Sequence, residues 1–155
     1  MAPVTSPIAL RIAGCTAFRL RKLTRRLTQH YDACLAPAGL RVTQYSLLSM
    51  LAHNPPLAMA ELAQRMEMDR TTLTRNLQPL AAAGFVEAMV GADARTRLVT
   101  ATGAGRDAWG EARPLWRRAQ NEVNAALGME GVQDLHALLD VSLEKFAAAT
   151  PNAKR

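Results

Sequence analysis

Six side chains within nine residues, Arg70, Thr71, Thr72, Thr74, Arg75 and Gln78, carry groups suited to a polyanion. Guanidinium groups donate paired hydrogen bonds to phosphates or to guanine edges. Hydroxyls reach phosphate oxygens, and the threonine methyl can meet the methyl of thymine. At helical spacing most of the six lie opposite a stripe of Leu73, Leu77 and Leu80. A solvated surface helix would show the same pattern, so this face alone leaves both readings open. Further along, Gly91-Ala92-Asp93-Ala94-Arg95-Thr96 reads as a turn with Arg95 at its tip and Arg97 just beyond.

Other chemistry is poorly supplied. His30, His53 and His136 fall on separate helices, with no HExxH pattern and no nucleophile elbow. The two cysteines lack metal-type spacing, and Gly103-Ala104-Gly105 is too short for a phosphate loop. No catalytic residue, metal or cofactor is expected. Arg11, Arg19 and Lys22 lie four to seven positions from Cys15, and such cations stabilise a thiolate. The favoured reading is nevertheless two small buried thiols, Cys15 and Cys34. On one straight helix these cysteines stand roughly 28 Å apart, far beyond the roughly 6 Å a disulfide spans, so any disulfide would join two chains. Reduced cysteines fit a cytoplasmic protein.

Several elements must position the basic groups. Leu62 and Met66, with the small Ala63 between, mark a short helix; Asp69 is a good N-cap for the next. Pro79 should kink or loosen the last turn of that helix, and Gly84 should end it. Phe85–Val90, with Val86 and Val90 on one face, and Arg97–Thr100 form a hairpin. Leu57–Met59 can add a minimal third strand. A long first helix is expected from Ile8 or Ile12 to Ala36, stopped by Pro37 and Gly39; Arg19, Arg21, Lys22, Arg25 and Arg26 crowd its middle. Thr43 should cap a helix reaching His53, and Thr102 one reaching Leu127, bent at Pro114. Gly128 and Gly131 mark a break. A last stripe follows: Val132, Leu135, Leu138, Leu139, Leu143 and Phe146.

The run Asp93-x-Arg95-Thr96-x-Leu98-Val99-x-x-Thr102-x-x-Gly105 resembles the wing signature of the MarR family of bacterial transcriptional regulators. Asp69-Arg70-Thr71-Thr72-Leu73-Thr74-Arg75 resembles that family's recognition helix. The chain departs from the pattern at Ala58 and Met59, where a hydroxyl residue is usual, and at Ala101, where leucine is. The resemblance covers about residues 11 to 148. It implies a mainly α fold with a small β-hairpin wing, a winged helix-turn-helix with N- and C-terminal dimerisation helices. The expected organisation is a flexible 1–10 and a single domain over 11–149. Within it, 11–36 and 103–149 form dimerisation helices and 43–102 the DNA-binding region; 150–155 is a flexible tail. Asp93 would shape the wing, while Arg70, Thr71, Thr72, Thr74, Arg75, Gln78, Arg95 and Arg97 would contact double-stranded DNA. The resemblance further implies a homodimeric repressor on a palindromic operator, released by a small anionic or phenolic effector. A redox regulator sensing oxidants through Cys15, or a winged-helix interaction module without DNA, are the alternatives.

The whole chain is compatible with this. Its 155 residues suit one domain with a real core, and a net charge of +6 favours a polyanionic partner. No apolar run approaches the roughly 20 residues that span a bilayer. Ile12-Ala13-Gly14-Cys15 mimics a lipoprotein cleavage box, but no positive charge precedes its apolar stretch and Arg11 interrupts it.

Overall fold

A computed structural model of the chain describes residues 14–91, 93 and 96–149. The expectations for 1–10, for 150–155 and for Arg95 lie outside the described residues. Leucines at helical spacing build the centre of the fold. Leu35, Leu47, Leu48, Leu51, Leu62, Leu73 and Leu80 are the largest fully buried side chains, each contributing about 1.5–3 kcal/mol by leaving water. They come from four helices: α1 (Thr16–Leu35), α2 (Val42–Ala52), α3 (Met59–Arg65) and α4 (Arg70–Ala82).

Two helix starts differ from expectation. The expected helix does not run through residues 14 and 15; α1 begins at Thr16. Gly14 sits in a turn, and Cys15, in extended conformation, is the N-cap of α1; glycine is a poor helix former, so the break falls there. At the other end, Ala36–Ala38 form a 3-10 turn that Gly39 closes at φ 67°. Thr43 is not a cap but lies inside α2. The N-cap is Arg41, whose N–H donates to Gln44 Oε1 at 2.8 Å. The next N–H, of Val42, donates at 2.8 Å to Asp32 Oδ1 on α1. A carboxylate from a neighbouring helix thus takes over the capping role.

Strands β1 (Leu57–Ala58), β2 (Val86–Val90) and β3 (Arg97–Ala101) form an antiparallel sheet in the order β1-β3-β2. Leu57 pairs with Val99, Val86 with Ala101 and Val90 with Arg97. Val86 and Val90 share a face as the alternation predicts. Only the root of the hairpin reaches the core, however, so Val86 is buried while Val90 is 65% exposed.

Helix α5 (Gly103–Leu127) follows without a gap and continues through Pro114. Thr102 caps it as expected, its Oγ1 accepting from Gly105 N–H at 3.0 Å. Gly128, at φ 75°, separates α5 from α6 (Met129–Ala149). Gly131 does not share in the break; it lies within α6. The α5 helix packs on α1 and α2, with the fully buried Ala112 and Ala119 allowing close approach. The last helix packs on α5 and buries only Val132 of its apolar stripe, leaving Leu138, Leu143 and Phe146 more than 60% exposed. No helix among the described residues is long and apolar enough to cross a membrane.

Candidate nucleic-acid interface

The turn between α3 and α4 is built so that α4 starts abruptly. α3 ends in a Schellman motif: Met68 N–H donates to the Ala63 carbonyl at 2.9 Å and Glu67 N–H to the Gln64 carbonyl at 3.1 Å. Glu67 takes the left-handed conformation that this motif demands, at φ 50°. Two residues later Asp69 caps α4. Its Oδ1 accepts from Thr72 N–H at 2.8 Å and its Oδ2 from the Thr72 hydroxyl at 2.6 Å. These bonds hold the Asp69 carboxyl below its ordinary range.

This cap also sorts the six side chains of the helix. Arg70, Thr71, Thr74, Arg75 and Gln78 are exposed and together line one open groove of about 500 Å³. Thr72 does not join them: it is half-buried, with its hydroxyl committed to Asp69. The Thr74 hydroxyl donates back to the Arg70 carbonyl at 2.8 Å, which leaves it free to accept from a ligand. Among the described residues neither Arg70 nor Arg75 takes part in an ion pair. Arg65 shows the contrast, since Glu61 at 2.7 Å and Asn54 at 2.8 Å already hold its guanidinium. α4 continues through Pro79 to Ala82, so the proline does not end the helix. A second Schellman motif follows, with Gly84 left-handed at φ 72°, Gly84 N–H bonded to Ala81 and Phe85 N–H to Leu80.

The hairpin extends from beside this helix. Arg97 is exposed at the start of β3. At the tip, the Asp93 carbonyl accepts from Thr96 N–H at 2.8 Å, and Gly91 N–H donates to the Thr96 carbonyl at 2.8 Å. The base of the wing is tied to α5. The Thr102 hydroxyl donates to the Gly84 carbonyl at 2.7 Å, and Thr102 N–H to the Phe85 carbonyl at 3.0 Å. Gly105 crosses that same carbonyl so closely that a Cβ there would collide with it. The glycine and threonine of the wing run therefore form a joint between α4, wing and α5.

Two further constellations lie away from this face. Between α2 and α5 is a cleft of about 400 Å³. Trp116 stacks on Tyr45 with ring centres 5.8 Å apart, His53 meets the Trp109 ring edge-on at 4.5 Å, and the Arg113 guanidinium lies 5.7 Å above Trp109. Burial raises the Tyr45 phenol above its ordinary pKa, opposed by Trp109 and the charges of Arg113 and Arg117. The second constellation brings His30, Cys34 and Glu122 together from α1 and α5. Sequence reasoning missed it, although the spacing of four between His30 and Cys34 was visible; Glu122 is far away in the chain. Both cysteines are free thiols, but not the buried pair expected: Cys15 is exposed and Cys34 half-buried.

Comparison with known proteins bears on the same segments. The MarR family model matches residues 38–96. The transcriptional regulator MosR of M. tuberculosis, solved in complex with DNA, is 39% identical. The match covers 84% of this chain and 97% of MosR, with a TM-score of 0.73. The transcriptional repressor CouR, solved on a 23-mer DNA duplex, shares the fold at 22% identity and a TM-score of 0.77, over 85% of this chain and 94% of CouR. MarR of E. coli shares it at 22% identity and a TM-score of 0.66, over 83% of this chain and 97% of MarR. A search of curated proteins gives no match. With the helix-turn-helix, the wing and their joint all in place, the chain belongs to the MarR family of winged helix-turn-helix, DNA-binding transcriptional regulators.

Proposed function

We propose that this chain is a homodimeric repressor that binds a roughly palindromic operator in double-stranded DNA. The observation that carries this reading is the exposed face of α4, where Arg70 and Arg75 stand without an ion-pair partner among the described residues, beside Thr71, Thr74 and Gln78. Such a face suits the major groove. A hairpin beside it, bearing the exposed Arg97, with Arg95 in the sequence that connects its strands, suits the backbone and minor groove alongside. Thr72 acts from behind by locking the Asp69 cap. Asp93 shapes the tip through its carbonyl. MosR and CouR, both solved on DNA, support the same partner.

Release by a small anionic or phenolic effector is supported by the cleft between α2 and α5. Trp109 and Trp116 offer aromatic faces there, and Arg113 and Arg117 offer charge for a carboxylate or phenolate. A second reading, release through oxidation of Cys15, draws on the exposure of that thiol at the N-terminus of a 20-residue helix. A covalent dimer on a non-reducing gel after mild peroxide, abolished in Cys15→Ser, would favour it over the effector.

Binding to fragments selected from genomic DNA, followed over a salt series, tests the main proposal. Specific binding should fall steeply with salt as counterions are released. Arg75→Ala should cost about 1–3 kcal/mol of binding free energy. Its loss should relax preference at one position if Arg75 reads a base, or weaken all sequences alike if it grips phosphate. Unchanged affinity in both Arg70→Ala and Arg75→Ala would remove α4 from the interface.

A further inference from the structure

We propose that His30, Cys34 and Glu122 form a metal site of the zinc class that joins α1 to α5. His30 and Cys34 stand four apart on α1, so both side chains emerge on one face. Glu122 meets them from α5. One ligand atom from each lies within 4.8 Å of the others. His30 Nε2 is 3.4 Å from Glu122 Oε2, and Cys34 Sγ is 3.8 Å from that same oxygen. Tetrahedral zinc with bonds of about 2.0–2.3 Å spaces its ligand atoms about 3.4–3.6 Å apart. Two edges of the triangle therefore nearly have the required length before any metal arrives.

The donor set selects the metal. Thiolate and imidazole favour zinc over magnesium or calcium, which take oxygen ligands. Three protein ligands leave the fourth tetrahedral position to water, and the exposure of Glu122 keeps it open to solvent. The surroundings orient the ligands. Arg118 Nε holds the other carboxylate oxygen, Oε1, at 2.9 Å, which turns Oε2 toward His30 and Cys34. Two residues before Glu122, Gln120 Oε1 accepts from the Tyr31 hydroxyl at 2.6 Å, and Gln120 in turn bonds Asn124 at 2.9 Å, fixing the two helices against each other. Two contacts are exchanged on binding. His30 gives up the 3.2 Å hydrogen bond from Nε2–H to the Ala119 carbonyl and carries its proton on Nδ1 instead, which frees the Nε2 lone pair, and the Cys34 thiol releases its proton to solvent as the sulfur–metal bond forms.

The site goes beyond DNA recognition, and its test needs no DNA, so the two can fail separately. The full chain, stripped by a chelator, is titrated with cobalt(II) as a spectroscopic stand-in and then with zinc. The expected result is one equivalent of cobalt per chain, with a thiolate-to-cobalt charge-transfer band and intense visible bands of tetrahedral geometry, all displaced by zinc. Cys34→Ser should abolish the charge-transfer band. His30→Gln and Glu122→Gln should keep it while weakening affinity by roughly tenfold or more. Cys15→Ser should leave it intact. Circular dichroism of each variant checks that the helices persist, which the partial exposure of all three residues favours. Absence of the band in the native chain, its survival in Cys34→Ser, or its loss in Cys15→Ser would each overturn the proposal.

Discussion

Asp69 joins sequence to function at a single carboxylate. It fixes where α4 begins, and so which side chains face outward: its cap draws Thr72 inward and leaves Arg70, Thr71, Thr74, Arg75 and Gln78 in the open. Because the folded state holds the Asp69 carboxyl below its ordinary pKa, its contribution to stability is present above the unfolded-state value, near 4, and is lost as pH falls through the depressed folded value. Melting temperatures of the native chain and of Asp69→Asn, measured from neutral to acid pH, should therefore converge as Asp69 protonates. A gap that stays constant with pH would show that the charge of Asp69 plays no part. Most of this face was legible from helical spacing alone, since an apolar stripe at 73, 77 and 80 defines its opposite. Thr72 was not. Whether a threonine near a helix start faces a ligand or a cap depends on a side-chain rotation that periodicity cannot see.

The elements meet at the base of the wing, and there the family pattern acquires a physical cause. Gly105 opens α5 directly over the Phe85 carbonyl, which is also the acceptor for Thr102 N–H. A methyl group at Gly105 would strike backbone, which cannot rotate aside as a side chain can. Gly105→Ala should thus destabilise the chain by about 1–3 kcal/mol, or more if the wing base cannot shift. Urea unfolding measures this, and Gly103→Ala, where an added Cβ meets nothing within 4 Å, is the matched control. Equal effects at the two glycines would show that helix entry, and not the close crossing, matters. The wing, its third strand and the Thr102 cap were readable because turn residues and caps act locally. The start of α2 was misread for the opposite reason, whereas that of α1 turns on Gly14, a local signal that the helical spacing overrode. The cap of α2 is supplied by Asp32, ten residues before the N–H it accepts, and such tertiary contacts leave no local trace. Nor does one helix announce that His30 and Cys34 will meet Glu122 of another.

For the whole molecule, the deciding fact is apolar surface without cover. Leu138, Val141 and Leu143 are 66%, 45% and 61% exposed on α6, and Phe18 and Leu20 are 38% and 44% exposed near the start of α1. A solvated helix has no use for so many large apolar groups in series, whereas a second copy of the chain would bury them on both sides at once. A two-fold dimer would also place two α4 helices for successive major grooves, roughly 34 Å apart. The net charge of +6 adds attraction to DNA that does not depend on sequence. Lysine at both Leu138 and Leu143 separates these contributions. Both positions are exposed in the single chain, so its own stability should change by no more than about 0.5 kcal/mol per site. Buried charge would nevertheless oppose pairing strongly. On the proposed dimer, sedimentation should show the native chain as a dimer and the double variant as a monomer. With half the phosphate contacts, the slope of log affinity against log salt should fall to roughly half, and preference for a palindromic site should vanish while weak binding to any duplex persists. A double variant that stays dimeric, with its salt slope intact, would show that the two copies meet through another surface and that α6 has a different partner.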